Sequence, residues 1–166
     1  LLGAVVELEG EWHLDILGGG SLQLGLEALA QRLGIGDKVT FHPPLPSGEI
    51  PTYLNGLDAL VLPSLTRRNW KEQFGRILVE AMACGVPVIG SSSGEIPNTI
   101  AEAGLIFKEG NVNELRAALR QLMEDRSLGR RLSELGRERV LAHYTQERIA
   151  EQTYGIYQEM ARGDEA

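Results

Sequence analysis

The chain has 166 residues, enough for one domain, and its 43% hydrophobic content suffices for a core. A formal charge of −7 argues against nucleic acid, which is bound mainly through Lys and Arg contacts to phosphate, and does not favour an anionic membrane surface. A single cysteine cannot form an internal disulfide, no apolar stretch approaches the ~20 residues of a membrane span and no signal peptide is evident, so a cytoplasmic location is the expectation.

Leu1 to Leu8 reads as the end of a helix. His13 to Leu17 alternates as a strand and runs into Gly18-Gly19-Gly20, after which Leu22, Leu26, Leu29 and Leu33 mark a helix ending at Gly34. Val39-Thr40-Phe41 is a short strand before the proline-rich His42-Pro43-Pro44-Leu45-Pro46, and Ser47 is the expected cap of a helix containing Ile50, Tyr53 and Leu54. Ala59 to Pro63 is a buried strand, followed by a loop with Arg67, Arg68 and Trp70 that leads to Glu72.

From Glu72 to Ile89 the sequence reads as a loop, a buried helix and a strand in succession. Gly75 permits close backbone approach at the start, Gly85 stops the helix, Pro87 blocks its continuation and the β-branched run from Val86 to Ile89 enters a sheet. Between Ile77 and Cys84 every residue is apolar or small except Glu80, so the helix reads as buried on most sides and the Glu80 carboxylate needs a partner. Cys84 then reads as a buried thiol. The start of this helix is an anion site, because its free N–H groups and positive dipole end face outwards.

Glu95 stands at the N-terminus of a short helix after Gly94 as a partner of its dipole, and Ile100 precedes a strand from Gly104 to Phe107. Asn111 or Asn113 starts a helix carrying Leu115, Ala118, Leu119 and Leu122, and Ser127 to Met160 is helical with a break near His143-Tyr144-Thr145.

Alternating strands and helices of this kind imply an α/β, Rossmann-like parallel sheet with helices on both faces. Ligands then sit outside the carboxyl ends of the strands, at the loops Gly18 to Ser21, His42 to Pro46, Ser64 to Gly75 and Ser91 to Glu95. The glycine run is not a dinucleotide fingerprint, which needs glycine where Gln23 stands, and no Gly-Lys-Ser/Thr follows to make a P-loop. His13, His42 and His143 lack metal-ligand spacing and the chain has no D-x-D, so no metal is expected.

Glu72 and Glu80 form a Glu-x7-Glu pair within E-Q-F-G-R-I-L-V-E-A-M-A-C-G-V-P-V-I, followed by Gly94-Glu95-Ile96-Pro97. This stretch resembles the donor-binding, C-terminal domain of retaining glycosyltransferases of the GT-B fold, family four (glycosyl transferases group 1). The resemblance implies a nucleotide-diphosphate sugar as donor, with Glu72 on the sugar hydroxyls as the catalytic residue, the Phe74-Gly75 amides on the diphosphate and Glu80 on the ribose. The implied donor-binding set is Gly19, His42, Leu45, Gln73, Phe74, Gly75, Arg76, Ile77 and Glu80, without metal or cofactor. Local geometry agrees, since Glu80 stands roughly 7 to 8 Å along the helix from Gly75. Arg67 and Arg68 precede the diphosphate loop and could add positive charge to it, or be merely solvated.

The resemblance also implies that residues 1–166 form one donor-binding domain lacking the family's first strand, the Arg and Lys pair that follows it, and the acceptor-holding N-terminal domain, through which any membrane contact would run. The isolated chain is then expected to transfer no sugar. A sugar-nucleotide epimerase of the same fold, or a non-catalytic nucleotide-sugar binding module, are the alternative readings.

Overall fold

The computed structural model describes residues 1–163 and contains parallel strands with helices packed against them. In chain order the elements are α1 (Leu2–Val5), β1 (Leu14–Leu17), α2 (Gln23–Arg32), β2 (Val39–His42), α3 (Ile50–Leu54), β3 (Leu60–Leu62), α4 (Arg76–Ala83), β4 (Val88–Ser91), α5 (Ile96–Ile100), β5 (Leu105–Phe107), α6 (Val112–Glu124), α7 (Arg126–His143) and α8 (Gln146–Gly163). Every strand pairing is parallel, as expected, but the strands fall into two ladders, β1-β2 and β3-β4-β5. β1 and β3 therefore each keep one edge unpaired within the described residues, and every residue of both strands is only half-buried, whereas Val88, Ile89, Gly90 and Ser91 of β4 are all buried. The burial follows the pairing, because a central strand is covered on both edges and an edge strand is not. Leu1 packs into both the α1–β1–β2 cluster and the cluster around Ile89 and Phe107, so the N-terminal residues bridge the two ladders.

The main core forms around α4. Leu78, Ala81 and Met82 have at most 1% of their surface exposed and meet Leu54, Val88, Ile96, Ile100 and Val140. A β-carbon on Gly136 of α7 would come within 3.0 Å of Met82 Cγ, so that helical glycine lets α7 approach α4 closely. The same α7 face supplies polar partners to helix ends: Ser133 Oγ donates to Gly85 O at 2.6 Å, Arg137 Nη1 to Ala83 O at 2.9 Å and Arg139 Nε to Thr99 O at 2.8 Å. Arg116 of α6 does likewise for Ala4 O and Gly3 O of α1, at 3.2 and 3.0 Å. Carbonyls at helix C-termini lack intrahelical donors and carry partial negative charge, so arginine is well suited to cap them.

Several local expectations shift. Ser47 is not a cap: α3 starts after Glu49, with no side-chain cap and with Pro51 in its first turn. The strand expected from Val86 begins two residues later, because Val86 N still bonds back to Ala81 O at 2.9 Å, continuing the helix C-terminus. Asn111, rather than Asn113, caps α6, its Oδ1 accepting from Glu114 N at 3.1 Å. Leu22 is 68% exposed, outside the core face of α2. Cys84 is half-buried rather than buried, at the end of α4 where the helix emerges from the core.

Candidate functional site

The residues singled out in the sequence gather at the carboxyl ends of strands in two groups. In the first, β1 and β2 pair in parallel, so the loops after Leu17 and His42 leave side by side, and Gly18 N donates to His42 O at 3.0 Å. A β-carbon on Gly19 would lie 4.0 Å from Pro44 Cδ, which places the glycine turn against the proline-rich loop. Beside them opens a cavity of about 380 Å³ lined by Gly18, Gly19, Gly20, Ser21, Gln23 and Phe41 among others. Pro43 and Pro44 carry no N–H, so they add no backbone donor to this corner, and Leu45 after them is half-buried.

His42 is oriented by a residue that sequence reasoning passed over. Asp15 Oδ1 lies 2.8 Å from His42 Nε2 and 3.5 Å from His13 Nε2, while His13 Nε2 also meets Thr40 Oγ1 at 2.8 Å. The β1-β2 register makes this cluster, because it brings Asp15 opposite Thr40 and next to His42. The His42 ring also stands edge-on to Tyr53, centroids 5.8 Å apart, and burial, aided by the charge of and hydrogen bond to Asp15, raises the Tyr53 phenol above its ordinary value.

The second group is built on the turn into α4. Gly75 occupies the left-handed region at φ 79°, and a β-carbon there would meet Leu78 Cδ1 at 2.8 Å and Leu62 Cδ2 at 3.3 Å, so this entry to the helix needs glycine. The Glu72 carboxylate folds over the helix start: Oε1 accepts from Gly75 N at 3.1 Å and Oε2 from Ser64 Oγ at 3.4 Å. Gln73 and Phe74 are exposed on the connecting turn, Phe74 standing edge-on to Tyr144 at 5.5 Å while its carbonyl accepts from the buried Thr99 Oγ1 at 2.7 Å. Ile77 packs onto the core, and its amide and that of Arg76 point out of the first helical turn as groups without intrahelical acceptors.

Glu80 is not the buried acid the sequence implies. Its side chain is 38% exposed and its partner is Arg76, Nε to Oε1 at 3.3 Å, one helical turn earlier. The helix buries Leu78, Ala81 and Met82 and leaves the Arg76–Glu80 stripe to solvent.

The loop after β4 fastens the site from below. Glu95 N donates to Glu72 O at 3.0 Å, Ser91 Oγ to Ser64 O at 2.6 Å, and Ser93 Oγ meets Thr66 Oγ1 at 3.0 Å, with Ser91 and Ser93 fully buried. Gly94 has φ 58°, and a β-carbon there would lie 2.8 Å from the Glu72 carbonyl carbon and closer still to its oxygen. Among the described residues no hydrogen bond joins the two groups, and no cluster of three or more His, Cys, Asp or Glu could hold a metal ion.

Parallel strands with loops at their carboxyl ends, a glycine-led helix, a carboxylate at that helix start and a second one little more than a turn in are the architecture of a GT-B type C-terminal domain. The chain belongs to the glycosyl transferases group 1 family, whose sequence model matches residues 1–139. It is 32% identical over 157 residues to the GDP-mannose-dependent alpha-(1-6)-phosphatidylinositol monomannoside mannosyltransferase of Mycobacterium tuberculosis, a match covering 92% of this chain and 40% of that one. Sucrose-phosphate synthase from Thermosynechococcus elongatus superposes with a TM-score of 0.84 at 30% identity, covering 98% of this chain and 41% of that one. Anabaena HepE, solved in complex with UDP-glucose, superposes with a TM-score of 0.83 at 22% identity over 96% of this chain and 44% of that one, a likeness of fold. The chain thus spans less than half the length of each of these relatives.

Proposed function

We propose that this chain is the donor-binding part of a retaining hexosyltransferase and holds a nucleotide-diphosphate sugar for transfer to an acceptor bound by a further domain. The observation that carries the reading is the Glu72 carboxylate at the Gly75 amide, with Glu80 following on the solvent-facing stripe of the same helix. Sugar, diphosphate and ribose then meet Glu72, the α4 start and Glu80 in that order. A relative named for GDP-mannose dependence and a structural neighbour carrying UDP-glucose support such a donor. The division of the strands into two separate parallel ladders supports the expectation that one more strand completes the sheet.

In this reading the diphosphate leaves as the transferred sugar gains oxocarbenium character, and the growing negative charge falls on the exposed amides at the start of α4, aided by its dipole. Glu72 accepts hydrogen bonds from sugar hydroxyls and holds the ring in line, each charge-assisted bond worth roughly 1.5 to 3 kcal/mol. The nucleobase lies in the glycine-turn corner and meets mainly backbone groups between His42 and Leu45. No metal or cofactor takes part, and the setting is cytoplasmic; among the described residues no helix is long and apolar enough to cross a membrane. Calorimetry of the chain with UDP-glucose and GDP-mannose tests this. Saturable binding of one, competed by the matching nucleoside diphosphate, is expected; no binding of either donor or diphosphate overturns it.

A further inference from the structure

The segment between Ser64 and the Glu72 carboxylate is used by none of the steps above, yet it is built. Thr66 to Gln73 curl into an open cavity of about 590 Å³ lined by that segment alone. Arg67 N donates to Trp70 O at 2.7 Å and Trp70 N to Arg67 O at 3.2 Å, a tight antiparallel bridge with Arg68 and Asn69 at its tip. Both feet are pinned. Glu109 Oε2 accepts from Thr66 N at 3.2 Å and from Thr66 Oγ1 at 2.8 Å, and Ser93 holds the same hydroxyl from beneath. At the other end the Glu72 backbone is tied to Glu95. The hairpin is therefore ordered before any ligand arrives, which lowers the cost of binding.

Its side chains are of two kinds. Arg67, Arg68 and Lys71 are exposed, and among the described residues none of them lies within ion-pair distance of a carboxylate, although the chain as a whole carries a charge of −7. Trp70 leaves 50% of its surface in water in the midst of them. Clustered cations repel one another, and an exposed indole is unused apolar area. A partner that presents an anionic group beside a flat apolar face relieves both. Sugars have such a face in the C–H groups of the ring, and a phosphate or carboxylate substituent matches the planar guanidinium fork.

We propose that the Thr66–Gln73 hairpin is a binding subsite for an anionic carbohydrate, a sugar phosphate or uronic acid, with its ring on Trp70 and its anionic group on Arg67, Arg68 and Lys71. Glu72 lines the same cavity. The subsite thus places this sugar beside the one to be transferred, and in that placement it rests on the donor reading.

The test uses the full chain with Trp12 replaced as Trp12→Phe, so that Trp70 alone reports fluorescence, and calorimetry on the unaltered chain as a second readout. The probes are glucose 6-phosphate, glucuronate, glucose, inorganic phosphate and UDP. Glucose 6-phosphate or glucuronate should bind about tenfold more tightly than glucose or inorganic phosphate and shift Trp70 emission, and Arg67→Ala with Arg68→Ala should remove that advantage while sparing UDP. Equal binding of glucose and its phosphate overturns the proposal, as does inorganic phosphate binding as tightly as the sugar phosphate, which marks a plain anion site. So does loss of UDP affinity in step with the sugar phosphate, which assigns the arginines to the donor diphosphate. UDP binding without sugar-phosphate binding sinks this inference alone. Sugar-phosphate binding without any nucleotide binding sustains the subsite and sinks the donor reading instead.

Discussion

Gly94→Ala strikes the joint on which the site turns. At φ 58° an alanine is strained, at a cost of about 1 to 3 kcal/mol for a non-glycine residue in a sparsely populated region. Its β-carbon would also fall 2.8 Å from the Glu72 carbonyl carbon, which is backbone and cannot swing aside as a side-chain end can. Relief requires moving the Glu72 strand of the loop, which breaks the Glu95 N to Glu72 O bond, worth about 0.5 to 1.5 kcal/mol. Alanine recovers only about 0.4 to 1 kcal/mol through a stiffer unfolded chain. The net expectation is a destabilisation of about 2 kcal/mol, seen as a melting temperature lower by about 4 to 8 °C in a domain of this size. Because the displaced backbone carries the carboxylate that covers Gly75, nucleotide-sugar affinity should fall as well. Gly48→Ala is the control, since nothing lies within 4 Å of its β-carbon position and its φ is not in the left-handed range. Thermal melts followed by circular dichroism, with calorimetry of donor binding, measure both effects. A Gly94→Ala chain that melts within about 1 °C of the parent, the margin that leaves stability unaltered, and binds the donor equally well would show that Gly94 does not position Glu72.

Three further outcomes are expected. Glu80→Gln should change stability by no more than about 0.5 kcal/mol, because an exposed i,i+4 pair with Arg76 contributes little, while nucleoside diphosphate affinity falls roughly ten- to a hundredfold; chemical denaturation and calorimetry separate the two. The Glu109 carboxyl is held below its ordinary range mainly by the Thr66 hydroxyl and amide, so its stabilisation of the hairpin foot is full above the unfolded-state value and lost as pH falls through the lower folded one. Hydrogen exchange or Trp70 fluorescence across that acidic window should report loosening of the hairpin, and Glu109→Gln should abolish the transition; a transition that persists in the variant assigns it to another group. Glu72→Ala should weaken nucleotide-sugar binding about tenfold yet leave the bare nucleoside diphosphate equal or tighter, since it removes the sugar acceptor and frees the Gly75 amide; a parallel loss of both ligands would make Glu72 a structural residue.

The order of strands and helices was legible because hydrophobic spacing and the glycine and proline punctuation encode it locally, as at Gly75, Gly85 and Pro87. Glu72 and Gly75 were legible from the motif, and the structure brings them into contact. What escaped depends on register and on distant helices. Asp15 reaches His42 only through the β1-β2 pairing, twenty-seven residues away in sequence. Arg116, Arg137 and Arg139 look like free cations along the chain, yet they cap the ends of α1, α4 and α5, a role that emerges only when helices pack. Glu80 was read as buried because its neighbours are small and apolar, but alanines on a helix do not by themselves say which stripe meets the core.

In the proposed donor reading, Glu72 stands where the diphosphate has to bind. A carboxylate over the first turn of a helix is itself favourable, by about 0.3 to 1 kcal/mol at an exposed end, and here it occupies the Gly75 amide that a phosphate would claim. A diphosphate, with more charge and more acceptor oxygens, outcompetes it on the Gly75, Arg76 and Ile77 amides only if the displaced carboxylate finds new donors. Sugar hydroxyls are such donors. A nucleotide carrying its sugar compensates Glu72 for the lost amide, whereas a bare nucleoside diphosphate leaves that acid facing the incoming phosphate charge. In the proposed reading the arrangement therefore favours a nucleotide sugar over the bare nucleoside diphosphate, the direction of preference that a transferase needs to release its product.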